Sequence, residues 1–219
     1  MPRLLFEKKG NAVWISHLDL MRLFQRAFKR AGLHLKHSQG YNPRPLVAIA
    51  MPLSVGVESV CELLDFELED CDIPNPEIKE RLTRALVEGV QVRHVYDNAQ
   101  KIKNLAYLQA TVIMEYDMGI SEDHIQQIRD LFARVSLPVE KKGKNGPTQQ
   151  DIIPMIKKLE VDCPDSHTVE LHALVCCQNP SLNPMQLVAA IQHYLPELKP
   201  DHASCKRVEI YDINNHLFR

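Results

Sequence analysis

Aromatic residues are scarce in this chain, only 6% of it, with a single tryptophan, Trp14. That scarcity argues against a broad platform of exposed rings for stacking bases. No apolar run approaches the roughly 18 residues that a membrane helix needs. The opening MPRLLFEKKG turns charged too early for a secretory leader. A cytosolic protein with no membrane contact is therefore expected. The six cysteines, Cys61, Cys71, Cys163, Cys176, Cys177 and Cys205, form no CxxC pair and no CxxxCxxC cluster spacing. Four of them, Cys61, Cys176, Cys177 and Cys205, lie in apolar or alternating runs and read as core thiols, so no metal or other cofactor is expected. Phosphate-cradling, dinucleotide-binding, zinc-protease and nucleophile-elbow motifs are also absent.

The chain does contain segregated charge. Its net charge is only -2 over 219 residues, yet the first 45 residues carry nine Lys or Arg against Glu7 and Asp19. The sign then reverses through Glu58, Glu62, Asp65, Glu67, Glu69, Asp70 and Asp72. Such separation on a nearly neutral protein points to an anion-binding face, with RNA as the expected partner.

Periodicity divides the chain into two halves with one order of elements. In the first half, strands at Leu4–Lys8 and Ala12–Ile15 precede a helix over Ser16–Ala31, with Leu20, Phe24, Ala27, Phe28 and Ala31 on its apolar side. Strands at Leu46–Met51 and Cys61–Leu68, a helix opening at Asn75-Pro76 and a strand at Val90–Tyr96 follow. In the second half, a strand at Tyr107–Tyr116 leads to a helix from Ser121 that turns Ile125, Ile128, Leu131, Phe132 and Val135 inward. Strands at Lys157–Val161 and Thr168–Cys176, a helix at Asn183-Pro184 burying Leu187, Val188, Ile191 and Leu195, and a strand at Lys206–Ile213 complete it. Ser opens the first helix of each half, and Asn before Pro, read as an N-cap, opens the second. The expected fold is α+β: two tandem ferredoxin-like βαββαβ halves with antiparallel sheets, over residues 1–97 and 105–219. The polar stretch Asp97–Asn104 reads as the linker.

Within this frame, Ser16 and Asp19 have capping-box spacing, which leaves His17 in the first helical turn without a structural assignment. Ser, His and Asp packed into four residues of one helix cannot converge as a hydrolase triad. Arg22, Arg26, Lys29 and Arg30 fall at i, i+4, i+7 and i+8 and make one helix face basic, with no i+4 acids to balance it. The next loop, Ser38-Gln39-Gly40-Tyr41-Asn42-Pro43-Arg44-Pro45, is stiffened by two prolines. It holds out Gln39, Tyr41, Asn42 and Arg44 for recognition, with Arg44 for a phosphate and Tyr41 for a base or ribose, unless Tyr41 packs inward. His34 and His37 flank a two-residue gap, a weak metal spacing. Lys141, Lys142 and Lys144 surround the Asn145-Gly146 turn signal as a second basic loop.

The segments WISHLDLMRLFQRAFKRAGL, SQGYNPRP, MPLSVGVES and ELLDFELED together resemble the radical-SAM-associated domain of unknown function, which occurs alone or fused to cobalamin-binding radical SAM proteins. KNGPTQQDIIP and the Asn183-Pro184 helix match it more loosely. Ser16, His17, Asp19, Arg26, Gly40, Asn42, Pro43, Pro45, Gly56 and Glu58 occupy the motif positions. The resemblance implies a radical SAM protein as partner and a genomic setting among ribosomal and RNA-processing genes, but no mechanism. The function expected is a non-catalytic RNA-binding or substrate-presenting partner of a radical SAM enzyme. The alternatives are a metal-independent endoribonuclease using His17 or His37, and a protein–protein adaptor that ignores RNA.

Overall fold

The computed structural model describes residues 1–70, 72–97, 99–143 and 146–219. Cys71, Lys144 and Asn145, all considered above, and Asn98 of the expected linker lie outside the described residues. The chain is mixed α+β and divides into two compact units: Met1–Asn104 with Phe218–Arg219, and Leu105–Leu217.

The first unit runs β1 (Arg3–Lys8), α1 (His17–Arg30), β2 (Val47–Ile49), β3 (Val57–Phe66), α2 (Asn75–Ala85) and β4 (Val90–Tyr96). Its sheet has the order β4-β1-β3-β2, antiparallel at each of these pairings. Leu4 and Phe6 alternate onto the helical side, and Leu4 pairs across from Leu64. Phe6 and Phe24 meet edge to face at 4.7 Å between ring centres, and Phe28 lies 5.1 Å from Phe66. Leu20, Phe24, Ala27 and Phe28 are therefore the buried stripe of α1, while Ala31 sits at its C-cap.

Alternation sends Arg3 to the opposite side of β1. It is 1% exposed and makes a two-pronged contact with Asp65, at 2.5 and 3.0 Å, from directly across the ladder. Its guanidinium also lies 5.1 Å over the ring of Phe218, which draws the last two residues into this unit.

Two local expectations change. Ala12–Ile15 is not a strand: Gly10, at φ +54, starts a 3-10 turn over Gly10–Trp14. The carbonyls a strand would pair are otherwise taken. The buried Lys8 ammonium donates to Val13 O and Ile15 O at 3.0 and 2.8 Å, and the Gly56 N–H also donates to Val13 O at 2.9 Å. Asn75 does not cap α2, because Pro74 holds that position. The Asn75 amide instead donates to Asp97 at 2.6 Å.

The second unit runs β5 (Leu105–Glu115), α3 (Glu122–Phe132), β6 (Pro138–Gly143), β7 (Gly146–Asp151), β8 (Ile156–Asp165), β9 (Thr168–Cys176), α4 (Met185–Tyr194) and β10 (His202–Asp212). The sheet order is β10-β5-β9-β8, with β6 and β7 a separate two-stranded hairpin. The Lys141 region, read as a loop, is thus strand-paired, with Lys141 opposite Thr148. Val135 is 96% exposed rather than inward, because α3 stops at Phe132 and its apolar period stops with it. Asn183 is not the N-cap of α4 either, since Pro184 holds that position, but its side chain accepts from Met185 N at 3.1 Å.

Cys61 and Cys205 are buried, Cys176 and Cys177 half-buried and Cys163 exposed. Burial pushes Cys205 up to about 11 and Cys177 up to about 12, so both stay thiols at neutral pH. No described helix is long and apolar enough to cross a membrane.

Candidate nucleic-acid interface

Helix α1 is placed by its own amphipathic pattern. Once Leu20, Phe24, Ala27 and Phe28 are inside, Arg22, Arg26, Lys29 and Arg30 must face outward, and none of the four is buried. The four cations are not equivalent. Arg22 bonds Asp19 at 3.0 Å, an i,i+3 pair that partly neutralises the first turn. The absence of i+4 acids is therefore not the same as the absence of a balancing carboxylate. Arg30 donates to Ala85 O at 2.5 Å, capping the last carbonyls of α2. Arg26 and Lys29 make no ion pair among the described residues, and their charge is what the helix presents to solvent.

At the start of α1, the Ser16 hydroxyl accepts from Asp19 N at 3.2 Å and donates to the Asp19 carboxylate at 2.8 Å. Asp19 thus reaches back to the hydroxyl where a capping box would use the backbone N–H. The Ser16 hydroxyl and the Arg22 guanidinium hold the Asp19 carboxyl below its usual range. Ser16 is committed to Asp19, so no serine–histidine relay forms here. His17 is half-buried, and its Nδ1 finds no hydrogen-bond partner among the described residues.

The loop after α1 is held at its base. His37 pairs with Pro45 across an isolated bridge, Ser38 N donates to Arg44 O at 2.8 Å, and Arg44 N donates to Ser38 Oγ at 3.0 Å. Gly40, at φ +134, allows the tip a conformation closed to other residues. Tyr41 is fully exposed at 108%, so it does not pack inward, and Gln39, Asn42 and Arg44 are exposed beside it.

Helix and loop meet in one cleft of about 330 Å³. Phe28, Leu33 and Leu35 give it an apolar lining, and Lys29, His34 and His37 bring cationic or titratable groups to it. Gln25 and Glu69 add two polar groups that sequence reading did not single out. Gln25 lies one turn before Lys29 on the helix, which is the spacing that would have revealed it. Of the expected residues, the structure brings Lys29 and His37 together here. His17 is not part of this lining. A larger cleft in the same unit, about 400 Å³, sets Glu67, Asp70 and Asp97 against Lys36 and the Met1 terminus, and its excess of carboxylates disfavours phosphate. Among the described residues, no three histidine, cysteine or carboxylate groups gather as a metal centre would require.

Residues 2–184 match a family described as "Uncharacterized protein conserved in bacteria (DUF2344)". The chain belongs to this family. No curated protein is similar to it in sequence. Among solved structures, the chain is similar to one in a "Cbf5-Nop10-Gar1 Complex" at 12% identity and TM-score 0.52, over 95% of this chain and 48% of that one. It is also similar, at 11% identity and TM-score 0.47, to a chain in an "H/ACA RNP bound to a substrate RNA containing 2'-deoxyuridine", over 94% of this chain and 46% of that one. The chain therefore spans about half the length of the structures it resembles. The first likeness is one of fold, and it agrees with the α+β arrangement of the DUF2344 chain.

Proposed function

We propose that this DUF2344 protein is a cytosolic, non-catalytic RNA-binding or substrate-presenting partner of a radical SAM enzyme that acts on RNA or ribosomal material. The observation that carries the RNA reading is the pairing state of α1: Arg26 and Lys29 face solvent without an ion pair among the described residues, and Lys29 shares a cleft with His34 and His37. The fully exposed Tyr41 beside Arg44 supports it, since a ring and a guanidinium on one stiff loop suit a base and its phosphate. The radical SAM partner follows from the sequence segments Trp14–Leu33 and Ser38–Pro45, which carry that resemblance. We also read each unit as ferredoxin-like. Both have βαββαβ order and corresponding strand orders, β4-β1-β3-β2 and β10-β5-β9-β8, once the β6–β7 hairpin is counted as an insertion.

A second reading has a specific observation behind it. His34 and His37 line the same cleft as Lys29 and Glu69, a set from which a metal-independent endoribonuclease could draw an acid and a base. RNA cleavage by the wild type that is lost in His37→Ala would favour it. The main test is crosslinking and sequencing of RNA bound to the tagged protein in its native cells, with an Arg26→Glu, Lys29→Glu double variant as control. A discrete RNA enriched by the wild type alone is expected. Equal recovery from both proteins, or none, would leave a protein–protein adaptor as the better account.

A further inference from the structure

Trp14 is the chain's single tryptophan, and it is 71% exposed. A ring of that size left in water departs from the usual fate of tryptophan, which is to bury most of its surface. Its backbone, by contrast, is held on both sides. The Lys8 ammonium binds the carbonyls of Val13 and Ile15, and Val13 O also accepts from Gly56 N at 2.9 Å. The ring rests near Gly56, where an added Cβ would lie 3.7 Å from the ring atom Cζ3. Trp14 is therefore an anchored residue presenting an open ring.

Its position gives the ring a use. Trp14 immediately precedes the N-cap region of α1, whose 14 residues span about 21 Å. Tyr41 belongs to the loop whose base, His37 and Pro45, shares the cleft with Lys29 near the other end of that helix. The helix that separates these two segments in the chain presents the charge of Arg26 and Lys29 to solvent. Rings separated by cations suit a polyanion whose bases are free to stack, and duplex bases are not free. We infer that Trp14 is a base-stacking residue of this interface, and that its ligand is single-stranded RNA laid along α1 between Trp14 and Tyr41. The inference rests on the RNA-binding reading above. A protein partner would use the exposed Leu18 and Val55 as well, and it is the outcome the test separates.

The full chain is titrated with a dye-labelled, mixed-sequence single-stranded RNA and, separately, with the same RNA in duplex form. Anisotropy of the dye reports binding, and the intrinsic fluorescence of the lone Trp14 reports stacking. The single strand is expected to bind more tightly than the duplex and to quench Trp14 in step with the anisotropy rise. Trp14→Ala should weaken binding roughly 5- to 150-fold, the span that loss of one base–ring stack predicts, while Trp14→Phe should retain most of it. Binding with unchanged Trp14 emission, and equal affinity in Trp14→Ala, would overturn the inference while leaving RNA binding intact. No binding by the wild type would remove the RNA reading and this inference with it.

Discussion

Helices α1 and α3 hold the same place in their two units and are built alike. Each is opened by a serine whose hydroxyl accepts from the third residue on, Ser16 from Asp19 and Ser121 from His124. Each buries an apolar stripe. Their outer faces differ in sign: α1 carries four cations and one carboxylate, whereas α3 carries Arg129 against Glu122, Asp123 and Asp130. Arg129 is bound to Glu122 at 3.1 Å and to Val161 O at 3.2 Å, and Asp130 accepts from Gln126. The same order of elements therefore carries a net acidic helix in one unit and a net basic helix in the other. The difference lies in residues outside the apolar stripes, which is where binding chemistry can vary without loss of the core.

The largest effect expected from breaking this comparison is on stability. In the first unit the buried Arg3 pairs with the half-buried Asp65, so Arg3→Ala strips that carboxylate of its partner and should cost up to about 3–5 kcal/mol. In the second, Tyr116 donates a neutral hydrogen bond to Leu198 O at 3.1 Å, and Tyr116→Phe should cost only about 0.5–1.5 kcal/mol. Hydrogen exchange resolved by strand would check both. Arg3→Ala should expose the β1 and β3 amides far more than β9, and uniform protection in that variant would contradict the account.

Charge reversal on the two helices should separate them next. Arg26→Glu with Lys29→Glu is expected to lower RNA affinity about a hundredfold at low salt, and to reduce the slope of log K against log salt by about 2. Arg129→Glu on α3 should leave both within experimental error. Equal losses would mean that binding follows net charge rather than this face.

The two helices should differ least at their caps. Ser16→Ala and Ser121→Ala should each cost about 0.5–2 kcal/mol. The first is also tied to a shifted acid, because Ser16 and then Arg22 depress Asp19. A folded pKa below the unfolded value gives stability that is present above the unfolded value, about 3.9 for Asp, and is lost as pH falls through the folded one. An NMR titration should find the Asp19 midpoint low in the wild type and raised in Ser16→Ala. An unmoved midpoint would refute the hydroxyl as its main cause.

Several elements are legible in residue pattern alone. Leu20, Phe24, Ala27 and Phe28 announce α1, and Thr168–Cys176 announces β9, because a period of 3.6 or 2 is a local property of the chain. Ala12–Ile15 and Asn75 mislead for the opposite reason. Lys8 and Gly56 claim the carbonyl of Val13, and Asp97 claims the amide of Asn75, from positions that local pattern does not register. Within the candidate site, the basic stripe can be read directly. Asp19 three residues before Arg22 is legible too, but that Arg30 is engaged by Ala85 O, while Arg26 and Lys29 make no ion pair among the described residues, is not.

By itself the sequence determined the two-fold order of strands and helices and the segregation of positive charge onto α1, because both are written in residue type and spacing. Only the tertiary structure decided which cations stay unpaired, that Tyr41 and Trp14 are open to solvent, and that Lys29 and His37 share one cleft. Each of these depends on how the folded backbone turns and packs, as where Arg30 meets Ala85 O and Glu69 joins Lys29, and residue spacing alone carries little information about those encounters.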